Sequence, residues 1–280
     1  MSDIINFNGK FLHANEPVIH SDNRSFQYGD GLFETIRYSN GNLMFFDDHY
    51  ERLKRGIKFL GLQLPEYFDL HFLKRQIVET AESNDISLNA RVKVTLFRSG
   101  AGKYEPETNA PEFLIKTTPL YRPDYQWNEN GLHLGLFEKM QKPCDELSNF
   151  KTTSSLLYVL AAIHKKESGF DESIILNVKG NVADAIYANV FIVKEMKIYT
   201  PSLSEAGVDG VMRKQVLRIA NKNGYKTSEK SINLRDLLEA DEIFLTNAIK
   251  GIVWVNRFSG KTYSNAVSSE LMNKLNELIG

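Results

Sequence analysis

Ser148-Asn149-Phe150-Lys151-Thr152-Thr153 and, further on, Asn181-Val182-Ala183-Asp184-Ala185-Ile186-Tyr187-Ala188-Asn189-Val190-Phe191 are the stretches on which the reading of this chain turns. The first sets one lysine ahead of an apolar helical segment over residues 156–166. The second sets an acidic residue ahead of a run that reads as a buried strand. An amine that can form an imine with an aldehyde and a carboxylate that can hold a ring nitrogen protonated are complementary groups. Singly, Lys151 reads as a surface lysine and Asp184 as a turn residue. Their order and surroundings give them weight.

The rest of the chain reads outward from these segments. Residues 4–7 alternate, Asn8-Gly9 supplies a tight turn and residues 10–13 return. A second hairpin pairs residues 32–38 with residues 43–46 across Asn40-Gly41. Asp47 is then the expected N-cap of a helix. In it Tyr50, Leu53, Ile57 and Leu60 share a face, and Gly61 ends it. Helices are also expected over residues 69–81, 156–166, 211–223 (closed by Gly224) and 268–279. Strands are expected over residues 91–97, 113–117, 132–137, 173–177, 190–194, 197–200, 243–246 and 252–255. Helices and strands are mixed without a regular βαβ repeat, which predicts an α+β architecture. Residues 118–125 carry two prolines and no periodicity. They divide the chain into a domain over residues 1–118, a link over 119–125 and a domain over 126–280.

Bulk properties exclude several classes. The 280 residues are 42% hydrophobic, enough for a substantial core. Lys+Arg 34 against Asp+Glu 35 leaves a net charge of -1, so no basic field points to nucleic acid. No apolar run approaches the length of a bilayer crossing, and Met1-Ser2-Asp3-Ile4 has no signal-peptide character. With the single Cys144, these features predict a cytoplasmic protein. The six histidines show no metal-ligand spacing, so no metal is expected. Gly100-Ala101-Gly102-Lys103 resembles the end of a P-loop, but Tyr104 stands where a magnesium-binding hydroxyl belongs.

Three further places could receive phosphate. Arg52 lies off the apolar stripe and reads by spacing as solvated, yet a guanidinium can grip phosphate oxygens in pairs. Gly207-Val208-Asp209-Gly210-Val211-Met212-Arg213 opens a helix, whose first N–H groups bind anions, and Gly210 would let the anion approach. Thr246-Asn247-Ala248 follows a buried strand and offers a hydroxyl, an amide and backbone donors. Together with Lys151 and Asp184 these meet the needs of one cofactor, pyridoxal 5'-phosphate.

In this order, the segments resemble the class IV aminotransferases, the fold type IV pyridoxal-phosphate enzymes. The likeness runs through Tyr28-Gly29-Asp30-Gly31-Leu32-Phe33-Glu34-Thr35-Ile36-Arg37, His49-x-x-Arg52-Leu53, Lys151, residues 184–191, Gly210-Val211-Met212-Arg213 and residues 241–247. It implies a small N-terminal α/β domain, a larger barrel-like C-terminal domain with helices, and a homodimer. It also implies that Lys151 is the imine lysine and moves the Cα proton, that Arg52 holds phosphate, and that Val211, Met212, Asn247 and Ala248 form a phosphate cup. Asp184 stands where the family usually has glutamate, one methylene longer, and Met212 where transaminases commonly have threonine. The Gly207–Arg213 segment, Asn247-Ala248-Ile249 and the loop Arg98-Ser99-Gly100-Ala101-Gly102-Lys103-Tyr104 are similar to the 4-amino-4-deoxychorismate lyases. There Arg98 and Lys103 would receive substrate carboxylates and Phe33 would line the site. A lyase releasing 4-aminobenzoate and pyruvate for folate synthesis is thus expected slightly ahead of a branched-chain or D-amino acid transaminase using 2-oxoglutarate. A scaffold that binds the cofactor with little catalysis stands third, because Asp184 is the shorter acid.

Overall fold

Two Asn-Gly turns set the register of the first sheet. Asn8 (φ 52°) with Gly9 (φ 84°), and Asn40 (φ 49°) with Gly41 (φ 77°), all take left-handed backbone, as the twist of a two-residue hairpin requires. In the computed structural model, which describes residues 3–279, the first turn joins β1 (Ile4–Phe7) to β2 (Lys10–His13). After the short helix α1 (Arg24–Tyr28), the second joins β3 (Gly31–Ser39) to β4 (Asn42–Leu43). Helices α2 (Phe46–Phe59) and α3 (Leu70–Glu82) follow, then β5 (Ala90–Arg98) and β6 (Pro111–Pro119). The six strands form one antiparallel sheet in the order β2-β1-β6-β5-β3-β4. Alternation through the middle of β3 and β5 sorts its faces. Glu34 and Ile36 of β3 and Val92, Val94 and Leu96 of β5 are buried, with α2 on β3 and α3 on β6. Phe33, Thr35, Arg91 and Lys93 face the other way, more exposed.

The start of α2 differs from expectation. Only residues 42–43 extend as a strand, and the helix begins at Phe46 after Phe45 in left-handed backbone (φ 53°), with no side-chain cap. Asp47 is not the cap; it sits with Asp48 in the first turn. There carboxylates favour the positive end of the helix without closing it by hydrogen bonds.

The chain divides into two units. One runs to Pro123 and includes Lys151–Ser155; the other comprises Asp124–Phe150 and the chain from Leu156 on. Tyr125, inside the stretch read as a link, is buried in the second unit and exchanges backbone–amide hydrogen bonds with Asn276 at 2.9 Å.

The second unit contains β7 (Leu132–Lys142), α4 (Leu156–Glu167), β8 (Glu172–Asn177), β9 (Val182–Ala185), β10 (Asn189–Lys194), β11 (Lys197–Pro201), α5 (Val211–Lys222) and β12 (Thr227–Lys230). Then come α6 (Leu234–Glu239), β13 (Glu242–Asn247), β14 (Gly251–Phe258), β15 (Lys261–Thr262) and α7 (Ala266–Asn276). The sheet order is β12-β11-β10-β13-β14-β7-β8-β9, with β15 on β14. The pairs β7–β8, β14–β7 and β11–β12 are parallel, and α4 makes the β7-to-β8 crossover. The mixture is the expected α+β class. Asp184 lies within β9 rather than in a turn, and α7 stops at Asn276, short of the expected end at residue 279. Among the described residues no helix is long and apolar enough to cross a membrane.

Candidate active site

Beneath the first sheet lies a buried ion pair. His49 and Arg52, three apart on α2, turn the same face toward β3. Arg52 Nε donates to Glu34 Oε1 at 2.8 Å and Arg52 Nη2 to Oε2, while His49 Nδ1 lies 2.7 Å from Oε2. All three side chains are buried. Burial pushes the Glu34 carboxyl up, but Arg52 and His49 outweigh it and hold it at about 2. Burial likewise pushes the His49 imidazolium down, against the pull of Glu34. Arg52 is therefore not the solvated arginine its spacing suggested. Glu34 holds its guanidinium in one orientation, which a phosphate ligand needs and a mobile surface arginine lacks.

The open face of the same sheet carries the lysine. Phe33 N donates to Lys151 O at 2.8 Å, and Lys151 Nζ stands 4.3 Å from the Phe33 ring centroid. Lys93 Nζ lies 5.1 Å from the same centroid. It extends from β5 in register with Thr35, so Lys93 shares the face of Phe33. Burial, then the neighbouring Arg91, push the Lys93 ammonium down.

Arg98 and Lys103 part company. Arg98 is a correction to expectation: it is buried, with Nε on Asp30 Oδ2 at 2.9 Å, Nη2 on Leu60 O at 2.7 Å and Nη1 on Asn109 Oδ1. Strand β5 continues through it and turns it inward, so it ties the unit together instead of meeting a substrate. Lys103 is exposed, in a loop that is not a loose connection. Arg24 donates to the carbonyls of Gly102, Lys103 and Tyr104, and its Nε pairs with Asp30 at 2.9 Å.

In the second unit, Asp184 is buried at the centre of a hydrogen-bond cluster. Its Oδ2 accepts from Lys142 Nζ at 2.9 Å, Tyr158 Oη at 3.0 Å and Val208 N at 3.1 Å; its Oδ1 accepts from Asn189 Nδ2 at 3.1 Å. Burial and then Asp184 push the Tyr158 phenol well above its ordinary range, so it remains an O–H donor. Asn189 also donates to Val208 O at 2.7 Å. It pairs in register with Thr246 on β13, whose buried hydroxyl makes no hydrogen bond among the described residues. Such an orphan is open to a ligand or an ordered water.

The start of α5 adjoins this pair. Gly210 is its N-cap and offers no side chain, so the first-turn N–H groups, including those of Val211 and Met212, are uncapped by side chains. A Cβ on Gly210 would stand 1.8 Å from Asn189 Oδ1. The glycine thus makes room for Asn189, not only for an anion as its sequence suggested. Asn247 Oδ1 accepts from Ile249 N at 3.0 Å and Lys250 N at 2.8 Å, which shapes the turn after β13, and Ala248 lies in that turn. The uncapped helix and the orphan hydroxyl, linked through Asn189, suit a phosphate.

Glu34, Lys93, Lys142 and Tyr158 were not singled out from the sequence. Glu34 lies in a quoted motif, but its partners are distant in the chain. Lys142, between Gln141 and Pro143, carries no local sign that it is buried.

The family model described as amino-transferase class IV matches residues 31–258. An aminodeoxychorismate lyase of Vibrio harveyi is 31% identical over 239 residues, covering 84% of this chain and 86% of its own. A D-alanine aminotransferase of Bacillus licheniformis is 27% identical over 267 residues, covering 95% and 92%. Among solved structures, the branched-chain aminotransferase of Thermoproteus uzoniensis with norvaline superposes with a TM-score of 0.89 at 24% identity, covering all of this chain and 95% of that one.

Proposed function

Because the chain belongs to the class IV aminotransferase family, and is an enzyme of the lyase or transaminase kind, we propose that it uses pyridoxal 5'-phosphate to act on an amino-carboxylate, with 4-amino-4-deoxychorismate as the favoured substrate. The observation that carries the cofactor reading is the uncapped start of α5 beside the orphaned Thr246 hydroxyl. When bound, the cofactor supplies an aldehyde for an amine and an electron sink for the Cα–H bond.

In the second unit, the N–H groups of Val211 and Met212, the Thr246 hydroxyl and the Asn247-Ala248 turn would hold the phosphate, and Asp184 would face the ring nitrogen. In the first, Lys151 Nζ would hold the cofactor and carry the Cα proton; Arg52, fixed by Glu34, would add a phosphate contact.

Lys93, beside Phe33 with Lys151, and Arg91 on the same strand face make that face cationic. This supports a substrate bearing more than one carboxylate, as aminodeoxychorismate does. The similarity to the Vibrio harveyi lyase supports the same reading. A transaminase reading is favoured by the Bacillus licheniformis relative, and its dicarboxylate acceptor would use the same cations.

Product analysis separates the two. Offered aminodeoxychorismate, the loaded enzyme is expected to form 4-aminobenzoate and pyruvate. Offered leucine or D-alanine with 2-oxoglutarate, it is expected to form no glutamate; glutamate without 4-aminobenzoate would replace the lyase reading with the transaminase. Lys151→Ala should lower either rate by about three powers of ten or more.

A further inference from the structure

Lys142 ends β7 and is 7% exposed, and Asp184, at 2% exposed, is the carboxylate it pairs with. Four donor groups address that carboxylate: Lys142, Tyr158, the Val208 amide and Asn189. Three of them address Oδ2, while Oδ1 accepts from Asn189 and a longer contact at 3.3 Å from the same Val208 amide, which leaves Oδ1 the less engaged oxygen. Three of the donors are neutral. Only Lys142 brings charge, and among the described residues it is the one cation paired with Asp184. Its strand end is already tied by Val178 N to its carbonyl at 3.0 Å, so the ammonium is not needed to fasten the backbone. Burying an ammonium is costly and does not by itself stabilise a fold, which points to a reason in the chemistry of Asp184.

Resting on the reading of Asp184 as the ring-nitrogen partner, we propose that Lys142 is a positioning residue that makes Asp184 half of a neutral pair, so that a pyridine nitrogen meets a dipole instead of a bare negative charge. A bare carboxylate raises the pKa of a neighbouring cation by about 1–3 units. A carboxylate with an ammonium at 2.9 Å raises it less. The ring nitrogen is then held by geometry more than by charge, and electron withdrawal at Cα is moderated.

The test compares binding of pyridoxal 5'-phosphate with its 1-deaza analogue, in which C–H replaces the ring nitrogen. Dissociation constants are read by absorbance in the wild type, Lys142→Met, Lys142→Arg and Tyr158→Phe. The preference for the natural cofactor is expected to rise about tenfold or more in Lys142→Met, one pKa unit being a factor of ten. It should return toward wild type in Lys142→Arg and barely move in Tyr158→Phe. An unchanged preference in Lys142→Met overturns the proposal and leaves the cofactor reading standing. An equal rise in Tyr158→Phe also overturns it, since a vacated oxygen and not charge would then be the cause. The wild type decides independently of any variant's folding: a preference below about a hundredfold is expected, and a larger one overturns the proposal, because Asp184 would be acting as a bare carboxylate. Failure of the wild type to bind either compound overturns the cofactor reading and this proposal with it.

Discussion

Glu34 is the residue on which the first unit's buried charge depends. Its carboxyl titrates at about 2 in the fold against 4.5 when exposed. A depressed carboxyl contributes stability that is present above pH 4.5 and lost as pH falls toward 2. Glu34→Gln should abolish that share of the acid dependence, read as the change in urea midpoint between these pH values in variant and wild type. At neutral pH it should destabilise by about 3–5 kcal/mol, because Arg52 is left buried without its counter-charge. An unchanged acid slope would mean that the pair contributes nothing to folding. None of this was visible in the sequence. Arg52 read as solvated because spacing along a helix reports which residues share a face, not whether a distant strand covers that face with a carboxylate. Lys151 and Asp184, by contrast, could be singled out by their order and apolar surroundings.

At the level of elements, the hairpins were the most legible part, because Asn and Gly are the residues that most readily take the left-handed backbone a two-residue turn requires. The start of α2 was not, since Phe45 enters the helix through left-handed backbone that its side chain gives no reason to expect. The start of α5 was found, but the purpose of Gly210 was only half read. Gly210→Ala places a methyl 1.8 Å from Asn189 Oδ1 although the backbone itself, at φ -69°, accepts alanine. Asn189 must then give up its place between Asp184 and Val208. The variant is expected to lose about 1–3 kcal/mol of stability in urea and to bind pyridoxal 5'-phosphate at least tenfold more weakly. Wild-type values for both would show that Asn189 has room to move.

For the whole molecule, α4 has more apolar surface than its own unit covers. Leu157, Tyr158, Ala161 and Ala162 pack on Phe137 and Ile175. Leu156, Val159, Leu160 and Ile163 form a second stripe at helical spacing and are 66, 51, 37 and 48% exposed. Such an exposed apolar stripe beside a packed one is the kind of surface that marks an interaction site. We propose a homodimer with this stripe within its interface. Sedimentation should give about twice the 31.9 kDa of the chain, and Val159→Glu with Ile163→Glu should shift the protein to monomer. A wild-type monomer at micromolar concentration would rule the dimer out. The α+β class was legible from the mixture of periods, whereas Lys151–Ser155 joining the first unit was not, because that membership rests on backbone pairing with Gly31 and Phe33.

The loop over residues 99–110 takes its shape from residues outside it. Arg24 grips three of its carbonyls, and Asp30 anchors both Arg24 and Arg98. The transferable module is therefore not the loop. It is the loop together with α1 and the turn that follows, and a graft lacking Arg24 and Asp30 would carry the sequence of a relative's loop without its shape.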